Sequence, residues 1–170
     1  MNIEKAKRVA AAVYRDIEPY CDRIVVAGSV RRLKEDQIKD IEFVAIPRYE
    51  MQPDIFMNMK PTGKNLLFAY LRGKYNVITG GKDGQKKAVF SVNGIKIEIY
   101  CATEENFGYI LAIRTGPWNF SKVLVTKMKQ RGYHPKDGVV RRGRHVVPTP
   151  TEQVAFRMAG IRYLDPDLRC

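Results

Sequence analysis

The chain has 170 residues, 45% of them hydrophobic, which suits one ordinary domain or two small ones with a hydrophobic core. This composition excludes a disordered chain, and no apolar run approaches the roughly 20 residues of a membrane-spanning helix. Thirty basic residues against 18 acidic ones give a net charge of +12, which favours a polyanionic partner. The excess is largest after residue 113, where 12 basic residues stand against 4 acidic ones. A basic surface that only keeps the protein soluble is the alternative.

The three cysteines, Cys21, Cys101 and Cys170, show no CxxC spacing and cannot all pair with one another. We therefore expect reduced thiols in a cytoplasmic protein, and no zinc site. The N-terminal segment places apolar residues on one side of a helix and lacks the layout of a secretion signal. No membrane association is expected.

Apolar periodicity and turn residues predict the elements of the first two thirds of the chain. In chain order, they are a helix over 1–18, strands over 23–27 and 38–46, a short helix over 66–71, and strands over 75–79, 88–92 and 95–101. Asn93 and Gly94 are a typical hairpin turn between the last two strands. Residues 48–66 show no clear period and are left open, and residues 80–85 are predicted to turn.

The remaining third is predicted to be mainly helical. Its elements are a helix over 104–113 capped by Thr103, a helix over 119–131, a basic hairpin over 138–147, and a helix after Thr151 that Gly160 ends. The turn at 114–117 divides the chain into a domain of residues 1–113 and a smaller one of residues 114–170. The predicted fold class is α+β, with a mixed β-sheet flanked by helices followed by a small helical domain with a β-hairpin.

Three carboxylates are predicted to share one face of the sheet. Asp40 and Glu42 alternate with Ile41 along a strand, so both point to the same side, and Glu98 alternates in the same way within IKIEIYC. Adjacent acids repel each other unless a cation lies between them, and hard divalent cations prefer oxygen ligands. A solvated strand edge is the alternative for each acid taken alone.

A small-residue turn precedes these acids. Gly28 and Ser29 follow an apolar run, and Arg31 and Arg32 come next. Backbone amides, a hydroxyl and guanidinium groups suit phosphate oxygens, although a GS dipeptide alone is most often an ordinary turn. Phosphates together with three acids form the ligand set of two magnesium ions about 3.5 to 4 Å apart. The combination indicates phosphoryl or nucleotidyl transfer.

The order of four motifs carries a family resemblance. GSVRR at 28–32, DIE at 40–42, KIEIY at 96–100 and RTG at 114–116 resemble the nucleotidyltransferase superfamily, and specifically its polymerase-beta-like branch, the DNA polymerase X family. The FSK segment at 120–122 and the closing segment at 148–169 are similar to those of this branch. The resemblance runs from about residue 24 onward and implies the smallest form of the family, a palm over 1–113 and a thumb over 114–170.

The resemblance implies a role for individual residues. Asp40 and Glu42 would bridge two Mg²⁺ ions, for which Mn²⁺ can substitute, and Glu98 would complete the catalytic ion site and help to deprotonate the primer 3′-hydroxyl. The implied nucleotide-binding residues are Gly28, Ser29 and Arg32 at the triphosphate, Thr115 and Gly116 at the sugar, and Ser121 at the base. Trp118 would stack on the base or the sugar, or else pack in the interior.

We expect the positively charged residues of the thumb to bind DNA. We expect contacts with the DNA backbone or the templating pair from Lys122, Lys127, Arg141, Arg142 and Arg144. A solvated hairpin tip is the alternative for the three arginines.

Several positions depart from the family pattern. Glu42 and Glu98 replace the usual aspartates, and Ile113 with Arg114 replaces an aromatic pair, so a preference for deoxy or ribo sugars is not implied. Pro117 replaces a serine that follows a peptide bond that is often cis. Because proline lowers the cost of a cis bond to about 0.5 to 1 kcal/mol, we expect a cis Gly116–Pro117 bond. Tyr100 and Cys101 are expected to pack.

The predicted function is template-directed nucleotidyl transfer from a (d)NTP to the 3′-hydroxyl of gapped or primer-template DNA, by a monomeric DNA polymerase acting in gap filling or repair. A template-independent nucleotidyltransferase acting on RNA, protein or a small molecule is the second hypothesis. A DNA-binding module with an inactive site is the third, and the three acids argue against it because uncompensated carboxylates are costly to hold together.

Overall fold

The computed structural model describes residues 1–34, 38–80 and 85–169, and it has an α+β fold. A mixed five-stranded sheet is flanked by helices, and a smaller group of helices with a three-stranded sheet follows it. The predicted fold class is confirmed at this level. Among the described helices, none is both long enough and apolar enough to cross a membrane.

The secondary structure elements are numbered along the chain. The helices are α1 (Ile3–Ile17), α2 (Gly28–Arg31), α3 (Leu66–Lys74), α4 (Phe107–Thr115), α5 (Trp118–Gln130) and α6 (Glu152–Ala159). The strands are β1 (Cys21–Val26), β2 (Asp40–Pro47), β3 (Tyr49–Pro53), β4 (Met59–Asn65), β5 (Ile78–Gly80), β6 (Lys87–Val92), β7 (Ile95–Cys101), β8 (His134–Lys136), β9 (Val139–Arg142) and β10 (His145–Val147). Short 3-10 helices lie at Glu18–Tyr20 and Pro166–Leu168.

The main sheet has the strand order β1-β2-β7-β6-β5. Its central pair, β2 and β7, is parallel, and the other neighbours are antiparallel. In the parallel register Asp40 lies opposite Lys96, and Glu42 lies opposite Glu98. Because paired residues of neighbouring strands share a face and lie about 5 Å apart, this register brings Glu42 and Glu98 together.

The two faces of the sheet are covered differently. Ile41, Phe43, Ile97 and Ile99 are fully buried on one face, within the core that α1 and α3 contribute to. On the opposite face, α4 packs on the later residues of β2 and β7. The acidic residues lie at the earlier positions on that face, where Asp40 is partly exposed and Glu98 is buried.

A second core lies in the last third of the chain. Leu124, Met128, Val140 and Phe156 are buried in it, and α4 contributes Tyr109 and Ala112. Since α4 also packs on the main sheet, it joins the two cores. The division into domains at residues 113 and 114 remains a prediction.

Several predicted boundaries change. The helix expected from residue 104 begins at Phe107, and Thr103 is not its cap; instead the Thr103 N–H donates to the Asn106 side chain at 2.7 Å. Residues 48–66, left open by the sequence, contain the β3–β4 hairpin, whose tip exposes Ile55 and Phe56. The strand predicted over 75–79 is found at Ile78–Gly80, so it begins later and includes the first residue of the predicted turn. Residues 81–84 of the predicted turn lie outside the described residues.

The C-terminal elements agree with their sequence signals. The basic hairpin forms, with β8 as a third strand. Thr151 caps α6 by accepting a hydrogen bond from the Val154 N–H, and Gly160 ends it in the left-handed conformation. Cys21 and Cys101 are free thiols, and Cys170 lies outside the described residues.

The expected cis bond is wrong, because the Gly116–Pro117 bond is trans. Gly116 has an extended backbone with ψ of 151°, and Pro117 has φ of −64° at the start of α5. The Ser121 hydroxyl closes the turn by donating to the Ile113 carbonyl at 2.8 Å. The chain therefore reverses between α4 and α5 with a trans bond.

Candidate active site

The three predicted acids lie on the same face of the central strand pair. Asp40 and Glu42 are two positions apart on β2, and Glu98 on β7 is the register partner of Glu42. The Glu98 side chain is 8% exposed, whereas that of Asp40 is 34% exposed. The carboxylates thus form a cluster that is deepest at Glu98 and open at Asp40.

The predicted glycine turn lies directly against this cluster. Gly28 has φ of +61°, in the left-handed region that glycine adopts at little cost. A Cβ atom at this position would overlap the Glu42 carboxylate. The turn therefore approaches the acids as closely as its backbone allows, and Ser29 follows it on the first turn of α2.

Burial and neighbouring charge set the protonation of the two paired acids. Burial raises the pKa of Glu42 to about 7, and the charge of Asp40 adds to the effect. Burial alone would also raise the pKa of Glu98, but hydrogen bonds from Lys96, Tyr100 and Lys87 lower it to about 2. A divalent cation among these acids would favour ionised Glu42 and release its proton near neutral pH.

Basic side chains compensate the charge of the acids. Lys96 Nζ lies 2.5 Å from Glu98 Oε1 and 3.7 Å from Asp40 Oδ2, and Lys87 Nζ lies 3.0 Å from the same Glu98 oxygen. The Tyr100 hydroxyl donates to Glu98 Oε2. Both carboxylate oxygens of Glu98 therefore accept a hydrogen bond or pair with an ammonium group.

Carboxylate oxygens are the ligands that hard divalent cations prefer, so the three acids are candidate ligands for such a cation. In the described part of the chain, no group of three or more His, Cys, Asp or Glu side chains is arranged to hold a metal ion. However, the Lys96 ammonium lies between two of the three carboxylates, which is a position suited to a cation. Oxygen donors of this kind fit Mg²⁺ or Mn²⁺, and Asp40, Glu42 and Glu98 are the residues that would hold it.

The two arginines after the glycine turn face the C-terminal part of the chain. Arg32 donates to the Thr115 carbonyl and, at 3.3 Å, to the Ser29 hydroxyl. Arg31 donates to the Thr115 hydroxyl at 2.6 Å and to both carboxylate oxygens of Glu152 at 2.9 and 2.7 Å. Thr115 is fully buried, so this threonine holds the two parts of the chain together at the turn.

Glu152 is also bound from the C-terminal side. Arg169, whose side chain is fully buried, lies 2.6 Å from Glu152 Oε1. Its guanidinium lies over the rings of Phe156 and Tyr163. This network of Arg31, Glu152 and Arg169 was not predicted, because the sequence indicated only that Glu152 follows a helix cap.

Trp118 is exposed, so a packing role in the interior is excluded. The residue is 72% exposed at the start of α5, and the Lys122 ammonium lies 4.8 Å from the centre of its ring. Both residues line a shallow groove of about 460 Å³ that continues along α5 to Lys127. An exposed aromatic ring beside a lysine has the chemistry to stack on a nucleic acid base and to pair with a phosphate.

The remaining predicted DNA contacts lie on the three-stranded sheet. Arg141, Arg142 and Arg144 are all exposed at or beside the turn between β9 and β10. Arg142 lies over the Tyr133 ring at 5.4 Å. Solvent access leaves these arginines able to reach phosphates.

Two residues that the sequence did not assign to the site border it. Tyr100, expected only to pack, holds Glu98, and the Arg114 guanidinium lies 3.7 Å from the centre of the Tyr100 ring. Both line a cleft of about 820 Å³ that runs from Tyr49 past Lys87 toward the C-terminal part. The alternation of Glu98 and Tyr100 along β7 is the sequence signal that could have placed Tyr100 on this face.

A comparison of the sequence with protein-family models and with curated proteins finds no match.

Proposed function

We propose that this protein is a template-directed DNA polymerase of the X family, which transfers a nucleotide from a (d)NTP to a primer 3′-hydroxyl. The observation that carries the proposal is the register of β2 and β7. It sets Glu42 opposite Glu98, with Asp40 two residues earlier and the Gly28 turn against Glu42. Carboxylates beside an anion-binding turn are the donor set for nucleotidyl transfer.

In the proposed reaction, the primer 3′-oxygen attacks the α-phosphorus and forms a new P–O bond. The bond from the α-phosphorus to its bridging oxygen breaks, pyrophosphate leaves, and the hydroxyl proton passes to solvent with the help of the Glu98 carboxylate. Magnesium ions held by the three acids would supply charge neutralisation for the phosphates and the attacking oxygen. The Gly28 turn, Ser29 and Arg32 would bind the triphosphate.

Two basic surfaces support DNA as the acceptor. The α5 groove offers Trp118, Lys122 and Lys127, and the β9–β10 turn offers exposed arginines. A small acceptor molecule would need neither surface, which favours a polymerase over a transferase that acts on a small molecule. We expect the enzyme to act as a cytoplasmic monomer on gapped or primer-template DNA.

A single-nucleotide gap assay tests the proposed function. Four gapped DNAs that differ only in the templating base are each incubated with Mg²⁺ and one dNTP or rNTP, and extension is followed on a denaturing gel. We expect incorporation mainly of the complementary nucleotide, and none when a chelator removes the metal or the primer lacks its 3′-hydroxyl. Extension of single strands without a template would favour the second hypothesis. No incorporation on any template, with Mg²⁺ or Mn²⁺, would contradict the proposal.

The salt dependence of DNA binding tests the basic hairpin. Replacing Arg141, Arg142 and Arg144 by alanine should weaken binding to gapped DNA. For each phosphate contact that is lost, DNA binding releases about one counterion fewer. The magnitude of the slope of the logarithm of the binding constant against the logarithm of the salt concentration should decrease by up to about 2.7, at about 0.9 per contact. Fluorescence anisotropy at several salt concentrations measures the slope.

A matched triple variant on the opposite side of the sheet serves as the control. Lys5, Lys7 and Arg8 are exposed on α1, which covers the face without the acids. Replacing them by alanine removes the same charge and should leave the slope nearly unchanged. Equal changes in both triple variants would show that only net charge matters and would reject the hairpin contacts.

A further inference from the structure

Lys96 lies between two of the three acids, Asp40 and Glu98. It precedes Glu98 by two positions on β7, so both side chains share a face, and it is directly opposite Asp40 in the parallel register. Its ammonium lies 2.5 Å from Glu98 Oε1 and 3.7 Å from Asp40 Oδ2. The register and the strand alternation together fix this cation between the two carboxylates.

Lys87 contacts the same oxygen of Glu98 but has a different setting. Its side chain is 33% exposed, against 52% for Lys96, and its ammonium lies 4.8 Å from the centre of the Tyr100 ring. Among the acids of the described residues, Lys87 pairs with Glu98 alone, at 3.0 Å. Lys96 is therefore the lysine that bridges the acids, and it has the freer path into solvent.

We propose that Lys96 is a built-in competitor of the divalent cation: its ammonium neutralises Asp40 and Glu98 in the metal-free protein and must leave when a divalent cation binds. This inference rests on the proposed function. Three clustered carboxylates are costly without a counter-charge, and a lysine on a flexible stem supplies one. The Lys96 ammonium lies 2.5 Å from Glu98 Oε1 and occupies the position that a metal bound to this oxygen would need, so binding of the metal there includes the displacement of Lys96.

The competition has a consequence for the order of binding. Because part of the interaction energy is used to displace Lys96, the acids alone hold a divalent cation weakly. A nucleotide adds phosphate oxygens as further ligands, which shifts the competition toward the metal. The site is then filled mainly when a nucleotide is present.

Manganese binding in the absence of nucleotide and DNA tests the inference. The electron paramagnetic resonance signal of free Mn²⁺ gives the affinity at fixed pH and ionic strength, without any reaction. We expect Lys96→Met to bind Mn²⁺ about tenfold more tightly than the wild type, a difference of about 1.4 kcal/mol. Lys87→Met should tighten binding less than threefold, and Lys64→Met, a remote exposed lysine, should leave it unchanged.

Asp40→Asn separates failure of the inference from failure of the proposed function. If Asp40→Asn weakens Mn²⁺ binding but Lys96→Met equals the wild type, the competition is rejected and the metal site stands. Equal tightening by Lys87→Met and Lys96→Met would also reject it, since that result needs only a general charge effect. If Mn²⁺ binds to none of the proteins, or binds without regard to Asp40, the proposed metal site and the competition are both wrong.

Discussion

Replacing Asp40 by asparagine should reduce the rate of nucleotide incorporation by at least about 1,000-fold, equivalent to about 4 kcal/mol of transition-state stabilisation. The amide has the size of the carboxylate but lacks its negative charge, so it cannot neutralise a cation on this face. Asp40 is one-third exposed and lies at the start of β2, so the fold should be little affected. Single-turnover extension of a gapped primer measures the rate, and a thermal melt checks the fold.

Asp22→Asn is the matched control for this experiment. Asp22 is an exposed acid on β1 of the same sheet, and its ion pair is with Arg48 at 3.0 Å. Its replacement should leave the rate within about twofold of the wild type. An Asp40→Asn rate within tenfold of the wild type would remove Asp40 from the catalytic site.

Replacing Glu152 by alanine should lower the free energy of unfolding by about 3 to 5 kcal/mol. Glu152 is 5% exposed and binds Arg31 and Arg169, so its loss leaves one fully buried guanidinium without its counter-charge. Hydrogen bonds from the arginines lower the pKa of Glu152 against the effect of burial, which places the ionised form in the folded protein. Urea denaturation followed by circular dichroism measures the change.

Gln153→Ala is the control, because Gln153 is an exposed neighbour in the same helix. It should change stability by less than about 0.5 kcal/mol. In the double variant Glu152→Gln with Arg169→Gln, the loss should be smaller than the sum of the two single losses, because each single change leaves the partner's charge buried. Additive losses, or a loss below 1 kcal/mol in Glu152→Ala, would show that the network contributes little.

The acidic residues were predictable because local signals located them. The alternation around Asp40 and Glu98 assigned both to strands with the acids on one side, and Asn93 with Gly94 located the turn before β7. Gly28 was recognisable from the small-residue turn after an apolar run. Strand periodicity alone could not show that β2 and β7 are neighbours, and that pairing brings Glu42 to Glu98.

Other features depend on contacts that no local pattern encodes. Arg31 and Glu152 are 121 positions apart in the chain, so their ion pair follows only from the tertiary packing. The β3–β4 hairpin was missed because both faces of its strands are largely exposed, and no alternation of apolar and polar residues marks them. The expected cis proline was wrong because an extended Gly116 lets the chain reverse with a trans bond.

The parallel pairing of β2 with β7 also bears on how the molecule assembles. β1 with β2, and β6 with β7, are antiparallel neighbours joined by short stretches of chain, so each pairing closes only a short loop. Joining the two pairs requires the intervening chain to close a long loop. This step is slow, because the chain loses conformational entropy before the contacts between β2 and β7 can form. Glu42 and Glu98 meet only at that step, so a partly folded chain that lacks it does not yet contain this pair of acids.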